Sequence, residues 1–281
     1  MMIIDPHVHV WINDPKYPWP SENENPPSED ATVEQLMAAM AAHGTEKTVL
    51  VQVMHYRWDN RYAADCLKRY PDRFEGVCRV NPERPTAADD LSRWTEDYGF
   101  RGVRLSPSAD SSGDWFVSPD LHPLWRRTRD LKVPMCILTQ SERLPDLERW
   151  VQRYEDVQVC IDHMACPSVD RPEALEKLLR LSRYPQVYVK ISGTWSVSKE
   201  DYPYRDTHAT VRRVYDAFGP ERLMWGTDWP LVERRCGYTG ALDLVRKAFT
   251  FLNDEDRACI LGKTVLKLWP FDRGREKTTV G

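Results

Sequence analysis

The 281-residue chain contains no run of about 18 apolar residues, so no membrane-spanning helix is expected. Its first ten residues, MMIIDPHVHV, lack a basic region and soon meet a proline and two histidines, which does not fit a secretory signal peptide. There is no long run of Lys or Arg. The 39 basic residues stand against 43 acidic ones, a formal charge of −4, so nucleic acid is not the expected partner. No CxxC pair occurs among the seven cysteines, Cys66, Cys78, Cys136, Cys160, Cys166, Cys236 and Cys259. Several lie in apolar runs such as VPMCIL and VQVCID. They read as small buried hydrophobes in a reducing, cytoplasmic compartment, not as a disulfide framework or a zinc–thiolate site. Internal repeats and low-complexity linkers are also missing. With 41% hydrophobic and 29% charged residues, the composition is that of an ordinary globular chain long enough to bury a sizeable core. One domain is expected over 1–281, ending in a polar tail from about 273.

The chain alternates between short β-branched runs and longer amphipathic ones. Strands are expected over 2–10, 47–53, 74–81, 101–106, 133–139, 157–163, 187–192 and 222–228. Helices are expected over 32–43, 60–69, 86–98, 119–131, 142–154, 172–183, 207–218 and 241–252. Such alternation calls for a parallel sheet, most simply a closed (β/α)8 TIM barrel. A doubly wound open sheet would be expected to carry a Gly-rich loop after the first strand, and none is present. Thr32 and Gln35 have the spacing of a capping box. Gly44, Gly99 and Gly219 stand just past helix ends. The connections that follow strands, 11–31, 107–118, 193–206 and 229–240, are longer than those that precede them. In a barrel these long loops lie together at the carboxyl face, where sites are built.

Strand alternation points His7 and His9 the same way, into the barrel near its mouth. Two imidazoles so spaced can share one divalent metal. His163 closes the sixth expected strand in VQVCIDHMACP, and Asp228 closes the eighth in LMWGTDWP, where Gly226 leaves space. The first and eighth strands of a closed barrel are neighbours, which brings Asp228 beside the two histidines. A carboxylate there can bind a metal, or take a proton from water and return it to a leaving group.

The HxH of the first strand, the strand-end His in IDHM and the GTDWP of the eighth resemble the amidohydrolase superfamily. GVRL, in its order, narrows the resemblance to the amidohydrolase-2 branch, which holds 2-pyrone-4,6-dicarboxylate lactonases, sugar lactonases and related decarboxylases. The resemblance spans nearly the whole chain. It implies a distorted barrel with one site at its mouth, built from His7, His9 and His163, with Asp228 as general acid/base. Many members also place a Lys or Glu on the fourth strand and a His on the fifth. Here those strands end in Arg104-Leu105-Ser106 and Leu138-Thr139-Gln140, so a two-metal site is not expected. One zinc or manganese held by His7, His9, His163 and Asp228 fits the pattern, and so does a metal-free site.

Alternation places Arg104, Arg79, Lys190 and Gln52 on the inward face. Three cations near one mouth cannot be buried unpaired. They either pair with interior acids or form a pocket for an anionic small molecule, in which Arg104 suits a carboxylate. The second reading is the expectation. His55 and Tyr56 follow the second strand and are further candidate substrate contacts. Tyr17, Trp19, Trp195 and Trp229 are mouth aromatics, while His43, His122 and His208 read as structural. The expected reaction is hydrolysis of a carboxylated or sugar-acid lactone by water activated by Asp228, with or without one divalent metal. The alternative is a metal-dependent non-oxidative decarboxylase using the same residues. A third reading is a barrel that binds an anionic metabolite without turnover. A homo-oligomer is compatible with eleven tryptophans, some of which can form an apolar interface.

Overall fold

In the computed structural model, residues 1–23, 25–107 and 114–272 are described, together with all their side chains except that of Pro172. The expected tail 273–281 and part of the expected 107–118 loop lie outside the described residues. Eight strands pair in chain order: β1 (Ile4–Val8), β2 (Lys47–Val51), β3 (Phe74–Arg79), β4 (Val103–Leu105), β5 (Met135–Ile137), β6 (Val159–Ile161), β7 (Val187–Lys190) and β8 (Leu223–Met224). Every ladder is parallel. The sheet closes where Val8 bridges Trp229, with Asp228 N–H donating to His7 O at 2.9 Å and His9 N–H to Trp229 O at 2.8 Å. This is the expected (β/α)8 barrel.

Helices α1 (Val33–His43), α2 (Arg61–Arg69), α3 (Ala87–Glu96), α4 (His122–Asp130), α5 (Leu144–Arg153), α6 (Leu175–Arg180), a short α7 (Thr194–Val197) and α8 (His208–Phe218) fill the crossovers. Thr32 and Gln35 form the expected capping box, and Gly44 ends α1 in the left-handed region at φ 69°. Val103, Leu105, Met135, Ile137, Val187 and Val189 face the helices in one large apolar cluster. Val49, Val51, Val77, Cys136, Cys160 and Met224 fill the barrel itself. Strand alternation thus separates two cores, one inside the barrel and one around it.

The helix expected over 241–252 instead begins earlier, as α9 (Gly237–Asp243), and runs into a wide π turn, Leu244–Ala248. Beyond it, α10 (Asp254–Ala258) and α11 (Thr264–Leu268), joined by a second π turn, were not anticipated from the sequence. Val265, Leu268 and Trp269 plug the bottom of the barrel, and Trp269 Nε1 donates to Arg101 O at 2.8 Å. Gly262 is needed here because a Cβ would lie 2.5 Å from Met2 O. The plug leaves the opposite, carboxyl end as the open one.

Most strands are shorter than the sequence suggests. β6 stops at Ile161, because His163, Met164, Ala165 and Cys166 all take left-handed φ of 50–59°. β8 pairs only at Leu223–Met224, and Asp228 sits at φ 62°. The strand ends leave the ladder where they enter the mouth, since their side chains are spent on the site and not on the sheet.

Candidate active site

β1 carries a register shift between Asp5 and Val8. Ile4 belongs to the barrel interior, while Val8 packs outward against the helices. The bulge turns His7 and His9 together into the mouth, a common use of an extra residue beside a site. Asp5 holds the bulge to the eighth strand. Its carboxylate accepts from Thr227 Oγ1 at 2.6 Å, Thr227 N at 3.2 Å and His7 N at 3.1 Å. Gly226 lets the segments approach, since a Cβ there would meet His7 Cβ at 3.0 Å.

The structure gathers His7, His9, His163 and Asp228 as expected. His9 Nε2 lies 3.2 Å from Asp228 Oδ1, His7 Nε2 3.6 Å from the same oxygen, and His163 Nε2 4.0 Å from Oδ2. All four are buried, with Asp228 4% and His163 8% exposed at the opening. His9 Nδ1 donates to Val51 O at 2.7 Å, which fixes the ring with Nε2 turned toward Asp228. His163 Nδ1 meets Ser192 Oγ at 2.9 Å. Gly193, at φ 72°, keeps that ring clear, because a Cβ would stand 2.9 Å from His163 Nδ1.

Burial pushes the pKa of His7 far down, and the Lys190 charge adds to it; burial likewise lowers that of His163. Burial alone would raise the Asp228 carboxyl. The imidazoles of His163, His9 and His7 outweigh it, and Asp228 is held well below the usual carboxylate range. At neutral pH the site therefore presents an ionised carboxylate ringed by imidazoles. His7 Nε2 and Asp228 Oδ1 are buried without a hydrogen-bond partner. Donor atoms of His7, His9 and Asp228 lie within 4.8 Å of one another. Two imidazoles and a carboxylate with two unpartnered donor atoms fit a single divalent ion.

The inward cations are Arg104, Lys190 and Arg79, and the structure shows what neutralises two of them. The buried carboxylate of Asp162 takes Arg104 Nε on Oδ2 at 2.9 Å and Lys190 Nζ on Oδ1 at 3.0 Å. It also lies 3.3 Å from His7 Nδ1, which is 3.0 Å from Lys190 Nζ. Burial would raise the Asp162 pKa, but Lys190, His7 and Arg104 drive it well below the ordinary range. Asp162 was missed in the sequence because it sits beside His163 in IDHM and reads as filler. An acid at a strand end in register with inward cations was the available signal. Arg79 is fully buried, its guanidinium 4.7 Å from the Trp58 ring.

Gln52 does not point inward. Val49 and Val51 take the barrel side of β2, so Gln52 shares the opposite face with Leu50, and its amide donates to Asp59 O at 2.5 Å. Tyr56 is a loop anchor. Its hydroxyl donates to Ile12 O at 2.7 Å, and Trp19 stacks on its ring at 4.2 Å. His55 lines a cavity of about 530 Å³ together with Trp11, Ser28, Glu29, Asp30, Pro230 and Glu233. His43, His122 and His208 bond to Ala39 O, Tyr154 Oη and Pro203 O at 2.7–2.8 Å, outside the cluster, as structural histidines. No helix among the described residues is long and apolar enough to cross a membrane.

The Amidohydrolase family profile matches residues 4–271. The L-fucono-1,5-lactonase of Burkholderia ambifaria is 29% identical over 96% of this chain and 96% of its own. The 2-pyrone-4,6-dicarboxylate hydrolase of Comamonas testosteroni is 29% identical over 81% of this chain and 76% of its own. Among solved structures, a zinc-bound amidohydrolase from Burkholderia multivorans superimposes with a TM-score of 0.81 at 23% identity, covering 96% of this chain and 99% of its own.

Proposed function

The chain belongs to the amidohydrolase family, and on that premise we propose that it opens a lactone ring by hydrolysis. The observation that carries the reading is an ionised Asp228 carboxylate at the mouth, surrounded by three imidazoles. Relatives named as lactone hydrolases, aligned over most of their length, support it.

Asp228 accepts a proton from the attacking water, whose oxygen bonds to the lactone carbonyl carbon. When the tetrahedral adduct collapses, the ring C–O bond breaks and Asp228 returns the proton to the departing oxygen. The product is a hydroxy acid, which ionises at neutral pH and releases one proton. In the tautomer in which Ser192 Oγ donates to Nδ1, His163 carries its proton on Nε2, where it can hydrogen-bond the developing oxyanion. A divalent metal held by His7, His9 and Asp228 would polarise the carbonyl and acidify water there. The Val51 carbonyl fixes the His9 ring, and Asp162 with Lys190 holds His7. All seven cysteines are free, which supports a reducing compartment.

The test is the mass balance of turnover. Hydrolysis adds one water to the substrate and yields no carbon dioxide. Release of carbon dioxide without water uptake would instead establish the decarboxylase reading.

A further inference from the structure

We propose that the outer groove between α4 and α5 is a second binding site, for a small polyanion carrying two or more phosphate or carboxylate groups. The inference goes beyond the lactonase reading and does not depend on it, because the groove shares no residue with the cluster of His7, His9, His163 and Asp228.

His122, Arg126 and Arg129 stand at i, i+4 and i+7 of α4, so they share one helix face. Arg149 and Arg153 stand at i and i+4 of α5. The two rows line adjoining cavities of about 580 Å³ and 440 Å³, which share Pro119, His122 and Arg153. The larger sets Arg126, Arg129 and Arg153 against one carboxylate, Asp120, which already accepts the Ser118 hydroxyl at 3.1 Å. The smaller sets Arg149 and Arg153 against Asp146, which lies 3.3 Å from Arg143 and 3.9 Å from Arg149. Both cavities are net positive in a chain whose formal charge is −4.

Elsewhere the helices neutralise such arginines. Arg69 pairs with Glu34, Arg183 with Glu148, Arg212 with Asp216 and Arg213 with Glu176. In the groove, Arg129 pairs with Asp130 at 3.0 Å. Arg126 and Arg153 are exposed, and neither is paired with a carboxylate among the described residues. They act from two helices on the same imidazole. Burial lowers the pKa of His122, and the Arg153 and Arg126 charges lower it further. Like charges gathered in one groove repel, a cost that a bound anion would relieve.

The groove has a rigid base. The Trp125 ring stacks on those of Trp150 and Tyr154, each at 5.5 Å, and braces α4 against α5. His122 adds an edge contact to Trp150 at 4.9 Å beside its bond to Tyr154 Oη. Less of the attraction for a ligand is therefore spent on ordering the site. Guanidiniums from two helices are satisfied together only by a ligand with more than one anionic group. Their planar forks take phosphate or carboxylate oxygens in pairs. The larger cavity has the volume of a small-molecule site.

The experiment is calorimetric titration of the full chain with inorganic tripolyphosphate and, separately, with citrate. The expected result is saturable binding of at least one of them, weakening as ionic strength rises. Binding of tripolyphosphate alone assigns the site to phosphate compounds, and binding of citrate alone to polycarboxylates. Arg126→Gln and Arg153→Gln should each weaken the binding about tenfold or more. Arg127→Gln, on the same helix but outside the groove, should change it by less than about twofold and controls for overall charge. Circular dichroism checks that all three variants fold. No saturable binding of either anion, or equal weakening by Arg127→Gln, would overturn the site. A dimer that disperses in Arg126→Gln and Arg153→Gln, with neither anion bound, would overturn it in favour of a second copy of the chain in the groove.

Discussion

Asp162 decides what the inward cations do. The sequence makes Arg104, Lys190 and Arg79 legible as inward residues, because strand alternation places them. Their partner was not legible, because pairing across β4, β6 and β7 depends on register that one sequence does not display. With Asp162 removed, two buried cations lose the carboxylate that compensates them. Asp162→Asn should cost about 3 kcal/mol or more of stability in urea unfolding. Adding Arg104→Met should recover part of that loss, because the two residues are coupled. Strict additivity of the two changes would show that the ion pair carries no weight. Asp228, His7, His9 and His163 were all legible, since two lie on one strand face and two close strands near it. Gln52 was misassigned because β2 turns its valines inward, which shifts Gln52 to the other side by one residue.

At the scale of elements, the site is made where regular structure stops. The β1 bulge, the left-handed turn at 163–166 and the short β8 each release a side chain into the mouth. Pro6 in the bulge and Gly226 before Asp228 are the marks that two of these departures leave in the sequence, while the turn at 163–166 leaves none, its residues being His, Met, Ala and Cys. Gly193 was readable only as the start of a loop, yet it leaves room for His163. Gly193→Ala should lower kcat about tenfold or more and destabilise the fold by about 1–3 kcal/mol, through strain at φ 72° and displacement of the imidazole. Wild-type kcat in a stable Gly193→Ala protein would dissociate that contact from catalysis.

The seam between β1 and the eighth strand has its own pH signature. Burial pushes the Asp5 pKa up to about 6 from 3.8, against the hydrogen bonds from Thr227 and His7. A raised folded-state value means that this contribution is fully present below 3.8 and is lost as pH rises through about 6. Asp5→Asn removes that titration. The variant should therefore gain about 3 kcal/mol relative to wild type between pH 4 and pH 7 in denaturant unfolding. A stability difference that stays constant across that range would contradict the assignment.

For the whole molecule, the order of strands and helices was legible because hydrophobic period switches cleanly between 2 and 3.6 along the chain. The C-terminal plug was not, because 254–268 is broken by a π turn and carries no single amphipathic stripe. Closing one end of the barrel leaves the carboxyl end, where the imidazoles and Asp228 gather, as the open one. The central claim is that Asp228 moves the proton of the attacking water. Its left-handed backbone at φ 62° is one that asparagine tolerates, so Asp228→Asn should fold normally while losing the basic oxygen. The measurement is steady-state hydrolysis of the lactone turned over fastest by the wild type, compared between wild type and Asp228→Asn, with matched circular dichroism. The account predicts a kcat lower by about 10²–10⁴ in the variant. Turnover within twofold of wild type in the folded variant would contradict it.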